Sequence, residues 1–149
     1  MLNEAQFRDA IVAEARTWIG TPYRVGGAVK GVGVNCAQLL FCVARNAGVL
    51  PANAPLPRWY TPQLATNSKE ERLIAYVTAY GAVEVAEASV KPGDIVLYKT
   101  GKAHGHAAIV LDWPRIVHAL PIVGCQMGDV DEGRLGAFSR RYFTLWTGA

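Results

Sequence analysis

Only three cysteines occur in 149 residues, too few for the disulfide framework of a small stapled scaffold. Cys36 and Cys42 would lie six positions apart on one helix, too far round and along it to bridge, so reduced thiols are expected. The three histidines provide a single His-x-His, His104-Gly105-His106, and no i, i+4 pair on a helix, and no Cys-x-x-Cys is present. Zinc uses every ligand type found at Cys36, His104, His106, Asp112, His118 and Cys125, but this spacing argues against a metal centre, and no cofactor is expected. There is no run of lysines or arginines and no aromatic-basic interleaving, so nucleic acid is not an expected partner. The net charge of +3 is mild, and a weakly basic surface suits an anionic polymer such as a cell wall. Apolar stretches such as Ile109-Val110-Leu111 are far too short to span a bilayer, which excludes membrane insertion from the expected behaviour. The start, Met1-Leu2-Asn3-Glu4-Ala5-Gln6-Phe7-Arg8-Asp9, lacks a basic segment followed by an apolar run, so synthesis in the cytoplasm without a signal peptide is expected.

What is present describes a globular chain, with 51% hydrophobic and 18% charged residues. One domain over residues 1–149 is expected, burying roughly two thirds of its unfolded surface, with no repeat, low-complexity tract or linker to divide it. Asn3 with Gln6 reads as a capping box for a helix over 4–19, with Phe7, Ile11, Ala15 and Trp18 on its inner face. A glycine-rich turn over residues 26–34 precedes a second capping pair, Asn35 with Gln38. Cys36 then opens a helix whose stripe Cys36, Leu40, Val43 and Ala47 ends at Gly48. Pro51, Pro55, Pro57 and Pro62 predict an extended surface loop. Ser68 with Glu71 predicts the cap of a third helix carrying Leu73, Ile74, Val77 and Tyr80 inward to Gly81. Beyond Gly81 the period changes to two, and strands are expected at 83–86, 94–99, 106–112, 115–120, 122–126 and 141–146. Helices first and a mostly antiparallel sheet afterwards make an α+β fold.

Chemistry concentrates at Cys36. A thiol on the first turn of a helix lies at the positive end of the helix dipole, which favours its thiolate. Nucleophilic catalysis by cysteine also needs a base and a group that orients the base. His106 and His118 fall on successive strands, and cysteine first with histidine later is the order of a papain-like hydrolase. Strand parity sets a condition. A two-residue turn at 113–114 would send the two imidazoles to opposite faces, whereas a three-residue turn or a bulge would bring them together. Cys42 and Cys125 read as core residues, and His104 as a solvated loop residue.

At these residues the chain resembles the NlpC/P60 family of papain-like cysteine peptidases. Gly20-Thr21-Pro22-Tyr23 with Gly26-Gly27 resembles the family's Gly-x-Pro-Tyr-x-x-Gly-Gly stretch. Asn35-Cys36-Ala37-Gln38 stands where Asp-Cys-Ser-Gly is usual, Lys91-Pro92-Gly93-Asp94-Ile95-Val96 matches a Pro-Gly-Asp strand, and the segments at His106 and His118 resemble those of the base and its orienting residue. The resemblance implies a papain-like fold with the cysteine at a helix N-terminus, a Cys36, His106 and His118 triad, and a contribution from Tyr23 and Asn35 to the oxyanion and substrate sites. It implies cleavage of peptidoglycan stem peptides, commonly between D-glutamate and a diamino acid. The compact segment from His106 to His118 is most similar to small members encoded with phage tail genes, which implies tail proteins as partners and a place in the virion. Asn35 and Ala37-Gln38 depart from the family pattern where relatives hold the donor peptide. They motivate an alternative, a structural tail-assembly protein that keeps the fold with little hydrolysis. An acyltransferase of the wider superfamily is a third reading, against which the chain order of cysteine and histidine speaks.

Overall fold

A computed structural model describes residues 1–57 and 62–148. The first helix, α1 (Glu4–Thr17), starts as its sequence dictates: Asn3 Oδ1 accepts from the Gln6 N–H at 2.9 Å and Gln6 Oε1 accepts from the Asn3 N–H at 3.0 Å. Thr17 is its last residue and Trp18 its C-cap, two residues short of the expected end. The glycine-rich turn is a small antiparallel hairpin, β1 (Ala28–Val29) and β2 (Gly33–Val34), with Tyr23 bridged in parallel to Val34. Gly27 is dictated by proximity, since a Cβ there would lie 2.7 Å from the Gly33 carbonyl group.

Helix α2 (Cys36–Asn46) begins at Cys36 as expected, and its first nine residues are all buried. Fully burying each of Leu39, Leu40 and Val43 contributes roughly 1.5–3 kcal/mol, so this helix anchors the core. The proline-rich segment is only partly the loop expected from sequence. Residues 58–61 lie outside the described residues, and Pro62 opens a short helix, α3 (Pro62–Asn67), instead of closing an extended stretch. Proline suits a first helical position, where its missing N–H has no intrahelical partner in any case. The following helix, α4 (Arg72–Ala79), buries Leu73 and Val77, but Glu71 is its N-cap and Ser68 Oγ instead accepts from the Glu70 N–H.

The remaining chain forms a six-stranded antiparallel sheet of β3 (Val83–Val85), β4 (Ile95–Lys99), β5 (His104–Val110), β6 (Arg115–Leu120), β7 (Gly124–Asp129) and β8 (Arg140–Thr144). The order is β3-β8-β4-β5-β6-β7. Alternate side chains serve two cores. Ile95, Leu97, Ala107, Ile109, Val117 and Phe143 pack with the helices, while Val96, Tyr98, Ala108, Val110 and Ile116 pack under a strap carrying Val130 and Leu135. Every residue of β5 is therefore buried. His104 belongs to this strand rather than to a solvated loop: it is 7% exposed, and Glu71 Oε2 accepts its backbone N–H at 3.1 Å and approaches its Nδ1 at 3.1 Å. Among the described residues no helix is long and apolar enough to cross a membrane.

The turn before β4 ties the sheet to α1. Asp94, 1% exposed, accepts from Arg8 at 2.6 Å and from the Lys91 N–H at 2.8 Å, while Arg8 also donates to the Pro92 carbonyl at 3.0 Å. Removing one member of such a pair strands the other. Asp94→Ala is accordingly expected to cost roughly 3 kcal/mol of unfolding free energy in urea denaturation. A loss below about 1 kcal/mol would show that the pair behaves like a surface salt bridge.

Candidate active site

Three elements bring the chemistry-bearing side chains together. Asn35, fully buried, caps α2 by accepting the Gln38 N–H on Oδ1 at 2.8 Å, which sets Cys36 on the first turn. The reciprocal half of the expected capping pair is absent, because Gln38 Nε2 donates to the Pro57 carbonyl at 3.3 Å. Asn35 thus lies beneath the helix start, and its neighbour Cys36 forms part of the wall of an open cleft of about 530 Å³. The register along the β4–β5 pair shifts between Tyr98 and Lys99, so Gly105 bulges beside His106, and the Cys36 thiol donates to the Gly105 carbonyl at 3.7 Å.

The turn between β5 and β6 decides where the imidazoles point. Ile109 pairs with Val117, Val110 with Ile116, and the Leu111 N–H donates to the Arg115 carbonyl at 2.9 Å. Asp112, Trp113 and Pro114 form a three-residue turn, one of the two irregular solutions that the sequence required. His106 and His118 consequently share one face of the sheet, with ring centroids 5.1 Å apart and His106 Nε2 2.9 Å from His118 Nδ1. Both line the cleft with Cys36, and Tyr23 reaches it from the segment before the hairpin. Sequence reasoning missed the opposite wall, which includes Glu132, Arg134, Leu135 and Phe138. These come from the strap around the short 3-10 turn Gly133–Ala137, where the sequence shows only an unpatterned charged stretch. Among the described residues no group of three or more His, Cys, Asp or Glu is arranged to hold a metal ion.

The NlpC/P60 family model matches residues 20–142, from the segment before Tyr23 to the last strand. The chain belongs to the NlpC/P60 family. A Bacillus subtilis protein, gamma-DL-glutamyl hydrolase, is 33% identical over 99 residues, which cover 63% of this chain and 19% of that protein. The chain thus spans about a fifth of the length of that curated relative. The NlpC/p60 domain of the peptidoglycan hydrolase SagA superposes with a TM-score of 0.59 at 22% identity, covering 90% of this chain and 96% of the other. RipD of Mycobacterium tuberculosis, described as a non-catalytic NlpC/p60 domain protein adapted to peptidoglycan binding, superposes with a TM-score of 0.60 at 15% identity, covering 94% and 98%. These likenesses bear out the α+β, papain-like fold with helices packed on an antiparallel sheet. NlpC/P60 proteins are generally cysteine peptidases and hydrolases, with RipD a non-catalytic member.

Electrostatics marks two of the three thiols of this NlpC/P60 domain as core groups. Burial raises the Cys42 pKa and pushes that of Cys125 up to about 12, which leaves both as inert core thiols. Burial, with Cys36 adding to it, raises the Tyr23 hydroxyl to about 12, so at neutral pH it remains a donor. Burial also lowers His106 to about 3, with His118 adding to the effect, and lowers His118 to about 4. Both imidazoles are therefore neutral at neutral pH. The unfolded chain protonates its histidines near 6.5, so between there and about 3 it binds more protons than the native state. Stability present above pH ~6.5 is lost as pH falls through that window. In urea denaturation between pH 7 and pH 4.5, His118→Asn is expected to show a shallower acid-side loss than wild type. An identical slope would mean that His118 titrates normally in the folded protein.

Proposed function

We propose that this chain is a cysteine endopeptidase that cleaves peptidoglycan stem peptides at a γ-D-glutamyl bond to a diamino acid. The observation that carries the reading is the shared cleft of Cys36, at a helix start, and the hydrogen-bonded pair His106 and His118. The 33% identity to gamma-DL-glutamyl hydrolase supports the bond type. In this mechanism the proton of the Cys36 thiol passes to His106 Nδ1 as the sulfur attacks the scissile carbonyl carbon. His106 Nε2–H then donates to His118 Nδ1, which holds the ring in the productive tautomer. The new oxyanion faces the N–H groups of the first turn of α2 and the Tyr23 hydroxyl. The C–N bond breaks as His106 returns the proton to the leaving amine, leaving a thioester on Cys36. A water molecule, giving a proton to His106, attacks the thioester and releases the carboxylate product and the thiol.

Although burial disfavours an isolated imidazolium, the transfer from Cys36 to His106 makes a thiolate and an imidazolium together, with no change in net charge. Asn35 contributes no negative charge beside the thiolate, so its departure from the family acid leaves the chemistry intact. The tail-associated setting, with tail proteins as partners, rests on the sequence resemblance and would place this activity at wall opening during DNA entry. A second reading, a structural tail protein with little hydrolysis, is favoured by Ala37 and Gln38, which stand where relatives carry Ser and Gly.

Purified peptidoglycan treated with the protein is expected to release peptides with a new diamino-acid N-terminus, identified by mass. Cys36→Ala should lower the rate by roughly a thousandfold or more. Iodoacetamide near neutral pH should modify Cys36 well before Cys42 and Cys125, with the preference lost in His106→Ala. Identical digests from wild type and Cys36→Ala, with equal slow labelling of all three thiols, would support the structural reading.

A further inference from the structure

One polar atom of the cleft lacks the partner that the chemistry requires. His118 is 1% exposed, and its Nε2 has no hydrogen-bond partner among the described residues. If His106 Nδ1 is to accept the thiol proton, His106 carries its own proton on Nε2 and donates it to His118 Nδ1. A neutral His118 then has its single N–H on the buried Nε2. The productive tautomer of the pair thus leaves a buried donor seeking an acceptor, and the opposite tautomer, with His118 Nδ1–H donating, would leave His106 Nδ1 protonated and unable to take the thiol proton.

The strap offers such an acceptor. A Cβ placed on Gly128 would lie 3.1 Å from His118 Nε2 and 3.0 Å from Glu132 Oε2, so the two atoms flank one methyl-sized space that glycine leaves open. The stretch carrying Glu132 is held on the histidine face of the sheet. The Val130 carbonyl accepts from the buried Tyr98 hydroxyl at 2.8 Å, and the Val130 N–H donates to the Pro114 carbonyl at 2.9 Å. The Glu132 N–H donates to the Asp129 carbonyl at 3.0 Å, and Arg140 pairs with Asp131. The backbone is thereby fixed, while the exposed Glu132 side chain is free to rotate over Gly128.

We propose that Glu132 is a positioning residue for the active site: its carboxylate closes across Gly128 onto His118 Nε2–H and locks His118 and His106 in the tautomers that make His106 the base for Cys36. Gly128 is the residue that permits this contact. The inference rests on the thiol-peptidase reading for its chemistry, but its geometry can be tested without substrate.

The full-length chain labelled with 15N-histidine gives the first readout. Wild type is expected to show His118 as the Nε2–H tautomer with a slowly exchanging proton. Glu132→Ala should speed that exchange and mix the tautomers, and Gly128→Ala should do the same by placing a methyl between the two atoms while Glu132 remains. Glu132→Gln, whose amide oxygen still accepts, should restore the wild-type signature. On a γ-D-glutamyl substrate, Glu132→Ala and Gly128→Ala should lower kcat roughly tenfold with little change in KM, and Glu132→Gln should recover most of it. Unchanged tautomer and exchange in both Glu132→Ala and Gly128→Ala would overturn the contact, whatever the activity. A wild-type protein with the signature but no turnover would instead support the contact and overturn the peptidase reading.

Discussion

The site depends above all on the register of β5 against β6. Because side chains alternate along a strand, a shift of one residue at the Asp112-Trp113-Pro114 turn would move His118 to the helix-facing side and leave His106 alone. The observed register, Ile109 with Val117 and Val110 with Ile116, is also the one that divides the hydrophobic side chains between the two cores. Core packing and imidazole pairing are therefore specified by the same constraint. Any slip of β6 that separated the histidines would also send Val117 away from the helices, a change that burial energy opposes.

That division raises a geometric difficulty, since α2 packs on one face of the sheet and the histidines belong to the other. The solution lies at the start of β5. The bulge at Gly105 breaks the regular pleat just before His106, and the Cys36 thiol meets the Gly105 carbonyl there rather than the middle of the strand. The helix start thus reaches around the strand end to a cleft that both faces share. Asn35, capping from a fully buried position, fixes where that helix begins.

Much of this was legible in sequence because it rests on local rules. Asn3 with Gln6, Asn35 before Cys36, and the switch from period 3.6 to period 2 after Gly81 each act within a few residues, and the corresponding elements appear within a few residues of the expected places. The readings that failed concern residues whose setting is made by distant chain. His104 looked solvated because its partner, Glu71, is 33 positions earlier. Pro62 read as part of a loop because a proline opening a helix and one ending an extended stretch look alike locally. The strap wall of the cleft was invisible for the same reason: nothing in Glu132-Gly133-Arg134 signals that Tyr98 and Pro114 will hold its backbone under two histidines.

The same separation of local from distant causes explains how this domain differs from its relatives around the thiol. Residues 35, 37 and 38 alter the family pattern, yet all three are buried in the helix start. Their effect on Cys36 is through backbone placement and through the charge that Asn35 lacks. Groups able to meet a substrate lie elsewhere in the cleft, on Tyr23 and on the strap with Arg134. On the proposed peptidase reading, nucleophile placement and substrate grip are consequently carried by different parts of the chain. The helix start must remain fixed to hold the thiol in the cleft, whereas the exposed Arg134 side chain of the strap can change without disturbing either core. On that reading, divergence in bond preference is compatible with an unchanged helix start.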